Sequence, residues 1–103
     1  MGAAIKFYTG LGYMVSLPLI DASAYDFIVD TGEKLLKIQV KYTSQVTKEG
    51  SFKVDLRGYK DKLDLDFDLL FVTTSSGTDY EFPRKGLKAR VTLNEKCNKY
   101  IVS

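Results

Sequence analysis

The sequence has no histidine and only one cysteine, Cys97, in 103 residues. Lack of histidine removes Ser-His-Asp triads, the commonest general base and all imidazole metal ligands. A lone cysteine excludes an internal disulfide and a structural zinc site. A nucleophilic Cys97 would lack the usual His partner, so an inert thiol is expected, and that fits a reducing cytoplasm. No apolar run approaches the ~20 residues of a membrane helix, and the start lacks the basic-then-apolar layout of a signal peptide. Repeats, low-complexity tracts and linker-like stretches are missing too. Charge of one sign is scarce: fifteen Lys and Arg against thirteen Asp and Glu leave a net +2. That is a weak lean towards polyanions, far short of a dedicated nucleic-acid binder.

What is present suits one compact domain over residues 1–103, with 45% hydrophobic and 27% charged residues. A core of that size is small, and pairing with another copy is a natural source of further stability. Residues 3–12 read as a short helix closing at Gly12, with Ala4, Phe7, Tyr8 and Leu11 on one stripe. Strands follow at Tyr13–Leu17, stopped by Pro18, at Tyr25–Asp30 and at Leu35–Tyr42. Further strands are expected at Phe52–Arg57, at Leu69–Thr73 (apolar, hence buried), at Tyr80–Phe82 and at Ala89–Leu93. Lys60–Asp68 reads as a charged surface connection, Ser75–Thr78 as a turn, and the end of the chain as a polar tail. The class is α+β with more sheet than helix.

The informative stretch runs from Tyr25 to Tyr42. In the first strand Asp26, Ile28 and Asp30 share a face, and in the second Lys37, Gln39 and Lys41 do. With the Thr31-Gly32-Glu33-Lys34 turn centred between Gly32 and Glu33, Asp26 falls opposite Gln39, their Cβ atoms about 5 Å apart. Lys41 is then diagonally within reach of Asp26. A two-residue Thr31-Gly32 turn would instead put Lys37 opposite Asp26. In the first register a carboxylate, an amide oxygen and an ammonium converge from two rigid strands. Mg²⁺ takes such hard oxygen ligands, completed by a backbone carbonyl or a phosphate. Lys41 beside it can orient a water or offset developing negative charge. Each residue taken singly is an ordinary strand-surface residue, and the grouping is what points to chemistry.

Tyr25-Asp26-Phe27-Ile28-Val29-Asp30, a short turn, and Leu36-Lys37-Ile38-Gln39-Val40-Lys41 together resemble the core of the PD-(D/E)XK nuclease superfamily. More narrowly they resemble the branch with the cyanobacterial group I intron homing endonuclease, where Gln replaces the second acidic residue in Q-V-K. The Gly12-Tyr13 lead-in after an opening helix is similar as well, and the likeness covers roughly residues 1–73. The resemblance implies a restriction-endonuclease-like core, a mixed sheet with an N-terminal helix. It implies a metal-dependent DNA endonuclease of homing or other site-specific type, with Asp26 and Gln39 as metal ligands, Lys41 as the catalytic lysine, and Mg²⁺ (or Mn²⁺) as cofactor. The substrate would be double-stranded DNA, with Thr43, Ser44, Lys53 and Arg57 as candidate contacts. A homo-oligomer, dimer or tetramer, is expected because one site cuts one strand. The family usually carries a Glu on the opening helix; here that position falls at or near Met1, and no acidic residue precedes Asp21, the best internal substitute. Neighbouring readings are a Holliday-junction-resolvase-like nuclease and a DNA-binding domain of this fold with an impaired site. A small interaction domain unrelated to nucleic acid is the reading furthest removed.

Overall fold

The computed structural model describes residues 2–18, 25–56 and 66–102. Helix α1 spans Gly2–Gly10. The strands are β1 Met14–Ser16, β2 Phe27–Asp30, β3 Leu35–Thr43, β4 Phe52–Asp55, β5 Leu69–Thr74, β6 Asp79–Pro83 and β7 Arg90–Leu93. A 3-10 helix, Glu95–Tyr100, closes the chain. Helix α1 ends because Leu11 and Gly12 shift to three-residue bonds, onto the carbonyls of Tyr8 and Thr9, and Gly12 adopts φ +85°. That left-handed conformation suits a residue without Cβ. Leu11, expected on the buried stripe, lies past the helix end and is 52% exposed.

Five strands form one mixed sheet in the order β1-β2-β3-β5-β6, and β4 and β7 form a separate two-stranded ribbon. All neighbours are antiparallel except β3 and β5. Because those two run parallel, the chain must cross over between them, and β4 lies in that crossover. The strand periodicity of two then splits the sheet into two packed faces. On one, Phe27, Val29, Ile38 and Phe71 pack against Ala4 and Tyr8 of α1. On the other, Leu70, Val72, Tyr80 and Phe82 pack against Val54, Leu56 and Leu93 from the ribbon side. The α+β architecture and the N-terminal helix over a mixed sheet are as the sequence implies.

Three local expectations need correction. Lys60–Asp68 is more than a surface connection: Phe67 is buried among the ribbon-side apolar residues. Residues 60–65 of that segment lie outside the described residues. The strand expected to run to Arg57 ends at Asp55, and Arg57 is outside the described residues. The tail is not a loose polar end either. Asn94 accepts the Lys96 N–H at 3.0 Å, which starts the 3-10 turn, and the Tyr100 ring lies 4.7 Å from that of Phe82. Ile101 then bridges Tyr80.

Tyr8 ties α1 to the far strand. Its ring is buried between Phe27 and Phe71, and its hydroxyl donates to Glu81 Oε2 on β6 at 2.7 Å. Burial first, then the Glu81 carboxylate, push the phenol well above its usual range. The folded-state pKa is raised, so the stability from this proton is complete below the unfolded value near 10 and is lost as pH rises beyond it. Tyr8→Phe is therefore expected to cost about 1–2 kcal/mol at neutral pH. It is also expected to flatten the loss of stability above pH ~10. Urea titrations of both proteins at neutral and alkaline pH check both effects; an unchanged alkaline slope would remove Tyr8 as its source.

Candidate active site on the first hairpin

The β2–β3 turn is fixed by its own side chains. Asp30 Oδ1 accepts the Gly32 N–H at 2.8 Å, and Thr31 Oγ1 accepts from the Glu33 and Lys34 N–H groups at 3.3 Å. Thr31 N–H closes the loop on the Lys34 carbonyl, with Gly32 at φ +92°. Such a four-residue loop sets Phe27 opposite Ile38, Ile28 opposite Lys37 and Val29 opposite Leu36. This is the register that aims Asp26 at Gln39, and Lys37 belongs opposite Ile28 instead. Asp30 has a structural task here, holding the turn through the Gly32 N–H.

Asp26 sits one residue before β2. Its backbone N–H donates to the Ile38 carbonyl at 2.8 Å. Its Oδ2 accepts the N–H of Val40, the middle residue of Gln39-Val40-Lys41, at 2.7 Å. Gln39 Nε2 leans on the Val40 carbonyl through a long contact of 3.4 Å. The two side chains thus bracket the backbone of one residue, Val40, and Asp26 Oδ1 and Gln39 Oε1 have no hydrogen-bond partner among the described residues. Sequence reasoning paired Asp26 with Gln39 directly; the hub between them is the Val40 backbone, which no side-chain pattern reveals.

The two lysines flanking Gln39 on its strand face separate clearly. Lys37 Nζ meets Asp66 Oδ1 at 3.2 Å and lies 5.4 Å from the Tyr25 ring centroid. Its backbone N–H donates to Asp68 Oδ2 at 2.8 Å. Lys41, half-buried, has no ion-pair or hydrogen-bond partner among the described residues. Parallel pairing sets Gln39 beside Leu70 and Lys41 beside Val72, both fully buried. The pair therefore rests on an apolar floor, where an ammonium acts on a nearby anion more strongly than in open water.

The donor set for a divalent metal is sparse. No group of three or more His, Cys, Asp or Glu gathers around one point among the described residues. What is present is one carboxylate with an oxygen to spare, one amide oxygen and nearby backbone carbonyls. Mg²⁺ is commonly held by one or two carboxylates with phosphate and water completing its shell, and this set fits that description at its lower limit. The last turn of α1 (Phe7, Tyr8, Leu11) borders the same hollow as Thr31, Glu33 and Lys34 of the hairpin turn. Met1 and Asp21, the two positions considered for a further carboxylate, lie outside the described residues.

Of the candidate DNA contacts, Ser44 and Lys53 are exposed. They border, with Lys41 and Asp55, a hollow of about 250 Å³. Thr43 is buried; its hydroxyl donates to the Lys53 carbonyl at 2.6 Å and accepts the Gln45 N–H at 3.3 Å. In this structure it fastens β3 to β4. Arg57 lies outside the described residues.

Comparison with known proteins agrees with the geometry. A family model described as PD-(D/E)XK endonuclease matches residues 2–74. Among solved structures, the bacterial homing endonuclease I-Ssp6803I superposes with a TM-score of 0.77 at 27% identity, over 91% of this chain and 72% of that one. No curated protein sequence matches significantly.

Proposed function

The chain belongs to the PD-(D/E)XK endonuclease family, and from that membership we propose that it hydrolyses phosphodiester bonds of double-stranded DNA at a divalent-metal site built on Asp26, Gln39 and Lys41. The observation that carries this reading is the grip of Asp26 on the Val40 N–H. It holds a carboxylate oxygen, the Gln39 amide and the Lys41 ammonium at one end of a rigid hairpin.

Asp26 and Gln39 would hold the cation, Mg²⁺ or Mn²⁺. A bound divalent ion lowers the pKa of water and offsets charge on the scissile phosphate. The chain's own residues do the rest. Asp26 supplies the negative charge and is oriented by a backbone N–H that engages one oxygen and leaves the second without a partner among the described residues. Gln39 adds a neutral oxygen. Lys41, unpaired within the described residues and resting on Leu70 and Val72, donates hydrogen bonds to the attacking water or to a non-bridging phosphate oxygen as charge builds there. Similarity to a homing endonuclease supports cutting at defined sites.

Nicking of supercoiled plasmid with Mg²⁺ or Mn²⁺, against a chelated control, tests the reading. Metal-dependent nicks are expected; DNA bound but never cut, with either metal, would favour a domain that kept the fold with an impaired site. Preference for four-way junctions over linear duplex would move the assignment to a resolvase-like nuclease.

A duplex cut needs two sites, so a homo-oligomer is part of the proposal. The β1 edge of the sheet supports it: β1 is uncharged, and Met14 and Leu35, in line across Asp30, are 73% and 66% exposed. Edge strands that stay alone usually carry charge. Introducing charge at both positions, Met14→Lys with Leu35→Lys, is expected to lower the mass measured by sedimentation. A mass unchanged by the double substitution would place the interface elsewhere.

A further inference from the structure

The β4–β7 ribbon continues the site: β4 lies within the family match, which ends at residue 74, and β7 lies beyond it. Register places Lys53 opposite Thr92 and Asp55 opposite Arg90. All four are exposed, whereas Val54 and Leu93 on the other face of the ribbon are buried. Gln45 joins the outer face, because its carbonyl accepts the Lys53 N–H at 3.0 Å. The hollow beside Lys41 is lined by Gln45, Lys53, Val54 and Asp55. A second hollow of about 350 Å³ shares those four residues and adds Arg90. One trough therefore runs from the lysine of the site to the arginine of the ribbon.

We propose that this outer face, through Gln45, Lys53, Arg90 and Thr92, enters the major groove of duplex DNA and reads base edges next to the bond that is cut. The inference rests on the DNA-cleaving reading above and adds how sequence is selected. Three features support it. A two-stranded antiparallel ribbon is one of the two elements that the major groove admits. The face carries side chains of base-reading type: Arg90 matches guanine, Gln45 adenine, and Thr92 serves either way. Finally, the Lys53–Thr92 and Asp55–Arg90 rows are two residues apart along the strands, about 6–7 Å. That is close to two base-pair steps of ~3.4 Å.

The test is a selection from a randomised DNA duplex pool, performed in Ca²⁺ and read by sequencing, with the full chain and its Arg90→Lys and Gln45→Ala forms. Arg90→Lys keeps the charge and the strand but loses the two-pronged guanidinium. The parent is expected to enrich a motif, and each variant to lose about tenfold preference at two to four adjacent base pairs. Lys99→Ala, on the 3-10 helix away from the trough, is expected to keep the whole motif. A motif retained by both Arg90→Lys and Gln45→Ala overturns the ribbon assignment and leaves the nuclease reading standing. So does a parent that cuts DNA but enriches no motif. A parent that neither binds nor cuts any DNA overturns both.

Discussion

Lys41→Ala is expected to slow metal-dependent plasmid nicking by about 10²–10³-fold, the range for removing one group that meets charge in a transition state. The structure supplies the reason for singling out this lysine from its neighbours. Lys37 occupies the same strand face, but Asp66 and the Tyr25 ring already engage it. Lys41 rests over Val72 with no partner among the described residues. Loss of its ammonium leaves no broken bond behind, so thermal unfolding should move by less than roughly 0.5 kcal/mol, as for surface changes away from packed features. Lys37→Ala is the informative contrast. It removes an exposed ion pair worth at most about 1 kcal/mol of stability and, because Asp66 already engages its ammonium, is expected to leave nicking far closer to the parent rate than Lys41→Ala does. Equal rates from the parent and Lys41→Ala would sink the assigned role; equal losses in both lysine variants would point to general DNA attraction by positive charge.

How much of this was legible beforehand depends on the range of each interaction. The hairpin was readable because its determinants are local: Asp30, Thr31 and Gly32 build the turn, and strand alternation does the rest. Even so, two registers were open, and only the four-residue loop closed by Thr31 and Lys34 decides between them. Phe67 was hidden inside a charged run, where one aromatic gives no periodicity to detect. The ribbon was not legible at all. β4 and β7 each read as a short strand, but their pairing spans some forty residues of chain and depends on a shared apolar layer with β5 and β6, not on a nearby turn. The closing 3-10 helix is a similar case. Cys97 and Tyr100 fall on one side at its three-residue period, a signal too short to distinguish from a polar tail. For the site, the residue types were readable and the Val40 peptide that organises them was not, because a backbone group has no letter in the sequence.

The strongest dependence should be on Asp26, for two reasons that separate experimentally. Its carboxylate supplies negative charge at the candidate metal position, with the cationic Lys41 nearby. Without it, a divalent cation there is left with the neutral Gln39 oxygen and a like charge. Several kcal/mol of metal-derived stabilisation would be lost, which corresponds to about 10³-fold or more in rate. The same carboxylate also satisfies the Val40 N–H, so Asp26→Ala leaves a half-buried donor unpaired at a cost of about 1–3 kcal/mol. In a domain of this size each kcal/mol shifts the midpoint by roughly 4–8 °C. Asp26→Asn keeps an oxygen for Val40 and removes only the charge. Nicking is therefore expected to vanish in both variants, while thermal stability falls appreciably only in Asp26→Ala. An Asp26→Asn protein that cuts at the parent rate would show that the charge is not required and that the metal is held elsewhere. An Asp26→Asn protein as unstable as Asp26→Ala would show that the bond to Val40 needs the charge itself, and would make activity loss in either variant a folding effect.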